Sequence, residues 1–150
     1  MRRLVPAVPL VLLALLGPPT GVTHAADTPD HRVAVHVDQA DPAVMNMALN
    51  NVANLQKHYA DKGESVAVEV VTYGPGLNML RADSSPVRER IAEMSLASDA
   101  LTFSACANTR AAMAKKEGRD IELLDEATVV PSGVVRLVEL QEEGYAYVRP

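Results

Sequence analysis

The sequence has no tryptophan, one phenylalanine and one cysteine, and aromatic residues make up only 3% of its 150 positions. Each scarcity closes a class of function. Without stacking rings, single-stranded nucleic-acid binding on aromatic platforms is excluded. A single thiol excludes an internal disulfide, a thiolate zinc cage and a paired-thiol redox motif within one chain. Cations are also scarce, with 14 Lys and Arg against 19 Asp and Glu. An acidic chain without a basic cluster makes a poor partner for nucleic acid or an anionic membrane. Neither GxGxxG nor GxxxxGK[ST] occurs, so no phosphate loop is expected. The four histidines, His24, His31, His36 and His58, lack metal-ligand spacing. No metal or organic cofactor is expected.

The one strongly apolar run lies near the start. Arg2 and Arg3 precede Leu10-Val11-Leu12-Leu13-Ala14-Leu15-Leu16, and Thr23-His24-Ala25 supplies small residues at the peptidase-read positions. This is the anatomy of a cleavable secretory signal over residues 1–25. The run is shorter than the roughly 20 residues of a membrane helix; an uncleaved anchor is the alternative. The mature chain, residues 26–150, is then one domain in the periplasm, large enough for a single core. With Arg2 and Arg3 removed it carries 12 basic and 19 acidic residues.

Beyond the signal, period-2 and period-3.6 stretches alternate. His31–Asp38 reads as a strand with Val33, Val35 and Val37 on one face. Asp41 caps and Pro42 opens a helix that Gly63 stops, with Val44, Ala48, Val52, Leu55 and Tyr59 at helical spacing. Asn46, Asn50 and Asn54 form a second stripe, read either as a contact with another subunit or as an ordinary wet face. Val66–Tyr73 is a strand closed by Gly74-Pro75-Gly76, and a helical turn follows. Ser85 and Pro86 start a helix lined by Val87, Ile91 and Met94. Ala100–Ala105 is a third strand, leading into a helix that ends at Gly118. "ATVV" is a short fourth strand, Ser132 starts a last helix that stops at Gly144, and "YAYVRP" is a fifth strand. Such alternation implies a three-layer α/β/α fold around a mostly parallel sheet of about five strands.

Ligands of open α/β sheets sit outside the carboxyl ends of the strands. Those ends are Asp38; Gly74, Pro75 and Gly76; Cys106 with Asn108 and Thr109; and Pro131, Ser132 and Gly133. Cys106 stands at a strand-to-helix junction, where free N–H groups and the helix dipole favour an anion. A thiolate is such an anion, so a lowered pKa and a nucleophilic role follow. Arg110 adds charge if it turns inward. A buried, inert cysteine is the competing reading. Asp38 is a candidate acid–base group, and a dyad between Cys106 and His36 has no support from spacing.

Four stretches in order, "HVDQADPAVMNMALNNVANL", "YGPGLNMLRAD", "FSACANT" and "VPSGVVRLVELQEEGYAYVRP", closely resemble the DsrE-like (DsrE/DsrF-like) family, in its exported single-domain branch. The resemblance runs from about His31 to Pro150. It implies a compact α/β fold with a mostly parallel sheet, assembled into homo-oligomers such as trimers or hexamers. It also implies sulfur relay, with sulfane sulfur carried as a cysteine persulfide, and Cys106 lies where such a cysteine is expected. The better-known members are cytoplasmic, and "SACANT" differs from their motif. The chain is therefore expected to be a periplasmic sulfur carrier or sulfurtransferase that meets a thiol or sulfur-donor protein. A non-catalytic, oligomeric small-ligand-binding module with an inert cysteine is the alternative.

Overall fold

Residue alternation sets the sheet in the computed structural model, which describes residues 28–150. In β1 (His31–Val37), Val33, Val35 and Val37 are buried on one face, while Ala34 and His36 are buried on the other. A strand buried on both faces belongs inside a parallel sheet. The others are β2 (Val66–Thr72), β3 (Leu101–Cys106), β4 (Ala127–Val130) and β5 (Ala146–Val148). Their order is β4-β3-β2-β1-β5, and every strand pairing is parallel. The putting-together of such pairs requires a crossover each time, and helices supply them. The expected three-layer α/β fold is the one observed.

Right-handed crossovers dictate which face each helix covers. From β1 through β4 the chain steps in one direction across the sheet. Its helices there are α1 (Pro42–Asp61), α2 (Arg88–Ala97) and α3 (Ala107–Glu117), with a 3-10 helix over Gly74–Leu80 between β2 and α2. Met45, Leu49, Val52, Leu77, Leu80 and Ile91 from this group pack with Val35, Val70 and Phe103 of the strands in the main core. Only the step from β4 back to β5 reverses direction, and its helix, α4 (Gly133–Glu142), lies on the opposite face. There Leu137 and Leu140 meet Ala34 and Val71. Each such leucine contributes roughly 2 kcal/mol on burial, so α4 is held by a small apolar contact. An ion pair adds to it. Arg136 Nε and Nη2 donate to the Glu69 carboxylate at 2.8 Å each, and Ser104 Oγ donates to it at 2.6 Å. Glu69 is buried, so losing its partner would leave an uncompensated charge.

Several expectations shift. In α1 the buried stripe is Met45, Ala48, Leu49 and Val52, with Val44 only half-buried. α2 starts at Arg88, two residues after Pro86. Ser85 causes the delay: its hydroxyl donates to Met79 O at 2.6 Å and accepts from Val87 N–H at 3.3 Å, holding a turn. The stretch after β2 is a full 3-10 helix rather than one turn. Asn46 and Asn50 meet this chain's own Arg90, whose Nη1 and Nη2 donate to their side-chain oxygens at 2.6 and 2.9 Å. Asn46 and Asn50 thus tie α1 to α2, while Asn54 stays exposed. The expected signal over residues 1–25 lies outside the described residues.

Candidate functional site

The topology creates a switch point between β3 and β4. β3 exits into α3 on the main-core face, and β4 exits into α4 on the other. The carboxyl edge of the sheet splits there, as it does at ligand sites of open α/β folds. Cys106 is the last residue of β3, paired in register with Val130 of β4. It is also the N-cap of α3.

Two helix starts therefore converge on one sulfur. Thr109 N–H donates to Cys106 Sγ at 3.4 Å. The Thr109 hydroxyl and the Gly133 and Asn108 N–H groups also favour the thiolate. Thr109 is oriented for this. Its Oγ1 accepts from Gly74 N–H at 3.0 Å, which leaves the hydroxyl proton for the sulfur. Gly74 takes a left-handed φ of 53° to make that approach, which suits glycine. Burial is the largest influence on Cys106 and pushes its thiol pKa up, but these polar neighbours together outweigh it and the net shift is downward. Donors aimed at a thiolate stabilise the charged form.

Gly133 carries a second requirement. A Cβ there would lie 2.9 Å from both Cβ and Cδ1 of Tyr73 and 3.3 Å from Cβ of Cys106. Only glycine lets α4 begin against the sulfur. Gly76 serves the scaffold instead: a Cβ would lie 2.1 Å from Val37 O, so the 3-10 helix seats directly on the end of β1.

Beside the thiol lies an aromatic cluster. Tyr73 stacks on His36 with ring centroids 4.6 Å apart. His36 Nδ1 pairs with Tyr147 Oη at 2.7 Å, while its buried Nε2 has no partner among the described residues. Burial lowers the His36 pKa, against the opposing pull of Asp38. Burial, then Asp38, raises that of Tyr73. Asp38 itself receives Arg149 Nη2 at 2.8 and 3.0 Å.

Of the residues expected from sequence, Cys106, Asn108, Thr109 and Gly133 meet at the sulfur, and Gly74 reaches it only through Thr109 Oγ1. Pro75 is exposed and borders a groove with Asn78 and Met113. Pro131 and Ser132 line a cavity of about 530 Å³ on the α4 face. Asp38 is occupied by Arg149. Arg110 turns away, donating to Ile121 O at 2.7 Å, because the helix carries it past the sulfur. His36 makes no hydrogen bond to Sγ; it meets Tyr147 instead. Tyr73, Tyr147 and Arg149 were not among the candidates. Their signal was parity: with Thr72 opposite Ala105, the next pair in register is Tyr73 and Cys106. Among the described residues no cluster of three or more His, Cys, Asp or Glu is arranged to hold a metal. No described helix is long and apolar enough to cross a membrane.

The sequence model of the DsrE/DsrF-like family matches residues 32–150. The chain belongs to the DsrE/DsrF-like family. Among solved structures it is similar to a protein of unknown function, MTH1491, from Methanobacterium thermoautotrophicum. That likeness has 38% identity and a TM-score of 0.68, and covers 81% of this chain and all of the other. No curated protein matches the chain. Family membership points to a role related to sulfur relay.

Proposed function

We propose that this DsrE-family protein carries sulfane sulfur as a persulfide on Cys106. The observation that supports it is the convergence of the α3 and α4 N-termini on Sγ, with hydrogen bonds that lower the thiol pKa. Thiolate is the attacking species in sulfur exchange. In loading, the Cys106 thiolate attacks a sulfane sulfur of a polysulfide. A bond forms between Sγ and that sulfur, and the sulfur's bond to the rest of the donor breaks. The electron pair leaves with the shortened polysulfide, so no external oxidant is consumed. The backbone donors that held the thiolate then lie beside the new sulfur. Gly74, Thr109 and Gly133 hold the sulfur in place in this reading, while Pro131 and Ser132 shape the approach.

The proposal includes export to the periplasm, supported by Arg2, Arg3, the run Leu10–Leu16 and the small residue Ala25. An N-terminus at Ala26 in the periplasmic fraction is the expected finding; an uncleaved chain in the cytoplasm would overturn that half. Self-association belongs to it as well, and a monomer at micromolar concentration in sedimentation equilibrium would remove it.

One observation favours the alternative of an inert cysteine: Cys106 is only 4% exposed. Intact-mass measurement after exposure to polysulfide separates the two. A reducible gain of sulfur by the wild type and none by Cys106→Ser supports the carrier. No gain, together with resistance of the folded protein to alkylation, establishes the inert cysteine instead.

A further inference from the structure

Cys106 is only 4% exposed, yet sulfur exchange brings a donor atom into contact with Sγ. Its cover is specific. Ser104 Oγ donates to Glu69, which Arg136 of α4 also reaches, so Ser104 faces α4. Cys106 stands two residues further along β3 and faces the same side. Among the described residues α4 is the only helix on that side, and its first residue, Gly133, lies against Cys106. A donor arriving from that side reaches the sulfur only if α4 moves.

The two ends of α4 are held unequally. At the C-terminal end Arg32 Nη1 donates to Glu143 O at 3.0 Å, Tyr145 N–H donates to Leu140 O at 2.9 Å, and β5 then joins β1. Gly144 between them takes a φ of 89°, a turn that glycine adopts freely. At the N-terminal end Ser132 makes no capping hydrogen bond through its side chain. The strand before it, β4, is bonded to the sheet along one edge only. Under this half lies the cavity of about 530 Å³, between Ser132, Val135 and Arg136 on one side and Thr102, Ser104 and Val130 on the other. Val134, Val135 and Val138 are about half exposed, so nothing among the described residues packs over the helix. One polar tie crosses to the sheet. Arg136 is the only α4 side chain that hydrogen-bonds a strand among the described residues, through its two bonds to Glu69. Opening returns both charges to water, which offsets the loss of the pair.

We propose that α4 is a lid over Cys106. It pivots at its C-terminal end, Arg136 and Glu69 form its latch, and its opening admits the sulfur donor. The purpose of the lid rests on the carrier reading; its motion rests on the packing alone.

Iodoacetamide alkylation of the folded full chain in dilute urea reads the opening at the sulfur, and hydrogen exchange reads it at the amides. The logarithm of the alkylation rate should rise with urea, with a slope below about a third of that for global unfolding, because the slope scales with the surface exposed. Amides of Leu137–Gln141 should exchange through the same opening, about tenfold or more faster than those of Val35 and Val70 once intrinsic rates are removed. Glu69→Gln takes the charge from the latch and should speed exchange of the α4 amides about tenfold, the size of a hydrogen bond to a charged group. Both wild-type measurements decide the matter if that variant fails to fold. An alkylation slope equal to that of global unfolding would overturn the lid. So would a urea-independent rate matching that of a free thiol, or α4 amides as protected as Val35 and Val70. Unchanged α4 exchange in a folded Glu69→Gln would overturn the latch. Sulfur gain from polysulfide alongside any of these failures leaves the carrier reading intact. An opening lid without sulfur gain keeps the lid and overturns the carrier.

Discussion

Replacing Gly133 by alanine tests the link between packing and thiol chemistry in one substitution. The new methyl would sit 2.9 Å from two atoms of Tyr73 and 3.3 Å from Cys106 Cβ. Real Cβ contacts do not approach that closely, so α4 must move outward, or Tyr73 must leave its stack on His36. Overpacking of this kind costs about 1–3 kcal/mol. Any outward movement also lengthens the Gly133 N–H contact to the sulfur, one of four that oppose burial. A hydrogen bond lost there is worth about 1 kcal/mol, or roughly a fivefold loss of thiolate at neutral pH. Two assays separate the effects. Urea unfolding reads the packing cost as a lower midpoint. Iodoacetamide alkylation of the folded protein against pH reads the thiolate, whose profile should move toward that of an ordinary thiol. Alanine at wild-type stability with an unchanged alkylation profile would refute the idea that Gly133 is there for the sulfur.

Gly76→Ala should cost more, above about 3 kcal/mol, since its methyl would meet backbone at 2.1 Å rather than a movable ring; a urea midpoint within error of wild type would contradict this. Thr109→Val removes the hydroxyl that bridges Gly74 N–H and Sγ, and should slow alkylation at neutral pH severalfold; an unchanged rate means the backbone donors suffice. In the native state the lowered thiol pKa means that fewer protons are bound than in the unfolded chain between that value and the ordinary 9.0. Stability should therefore rise with pH through that window, and Cys106→Ser should flatten the rise. His36 works in the same direction lower down. Its pKa lies below the unfolded 6.5, so its contribution is complete above 6.5 and is lost as pH falls through the native value. His36→Gln should reduce that acid sensitivity in thermal melts, and an identical slope would show that His36 is not its source.

The order of strands and helices was legible because each segment carries its own period, and Cys106 could be placed at a strand end from local sequence. Gly133 was legible as part of a strand end, but not as the point where α4 meets the sulfur. That information is long-range: Cys106 and Gly133 belong to different crossovers, and only the reversal after β4 brings them together. The same limit hid Tyr73 and Tyr147. Their roles follow from strand register, which pairing between distant segments sets. Arg90 explains two of the three amides that looked unusual on α1, Asn46 and Asn50, since a guanidinium on a neighbouring helix turns uncharged amides into partners. The start of α2 was misplaced because Ser85 caps a turn rather than the helix.

The pairing of β5 with β1 joins the two ends of the described domain, Val33 opposite Ala146. Contacts so distant in sequence form late and slowly. The strand that closes the sheet and the helix that completes the sulfur's donor set are both near the end of the chain. Until they dock, Cys106 has only the donors of its own helix start, and the Gly133 N–H is missing. The surroundings of the sulfur are thus tied to completion of the fold: without α4 docked, Cys106 keeps only the neighbours of its own helix start.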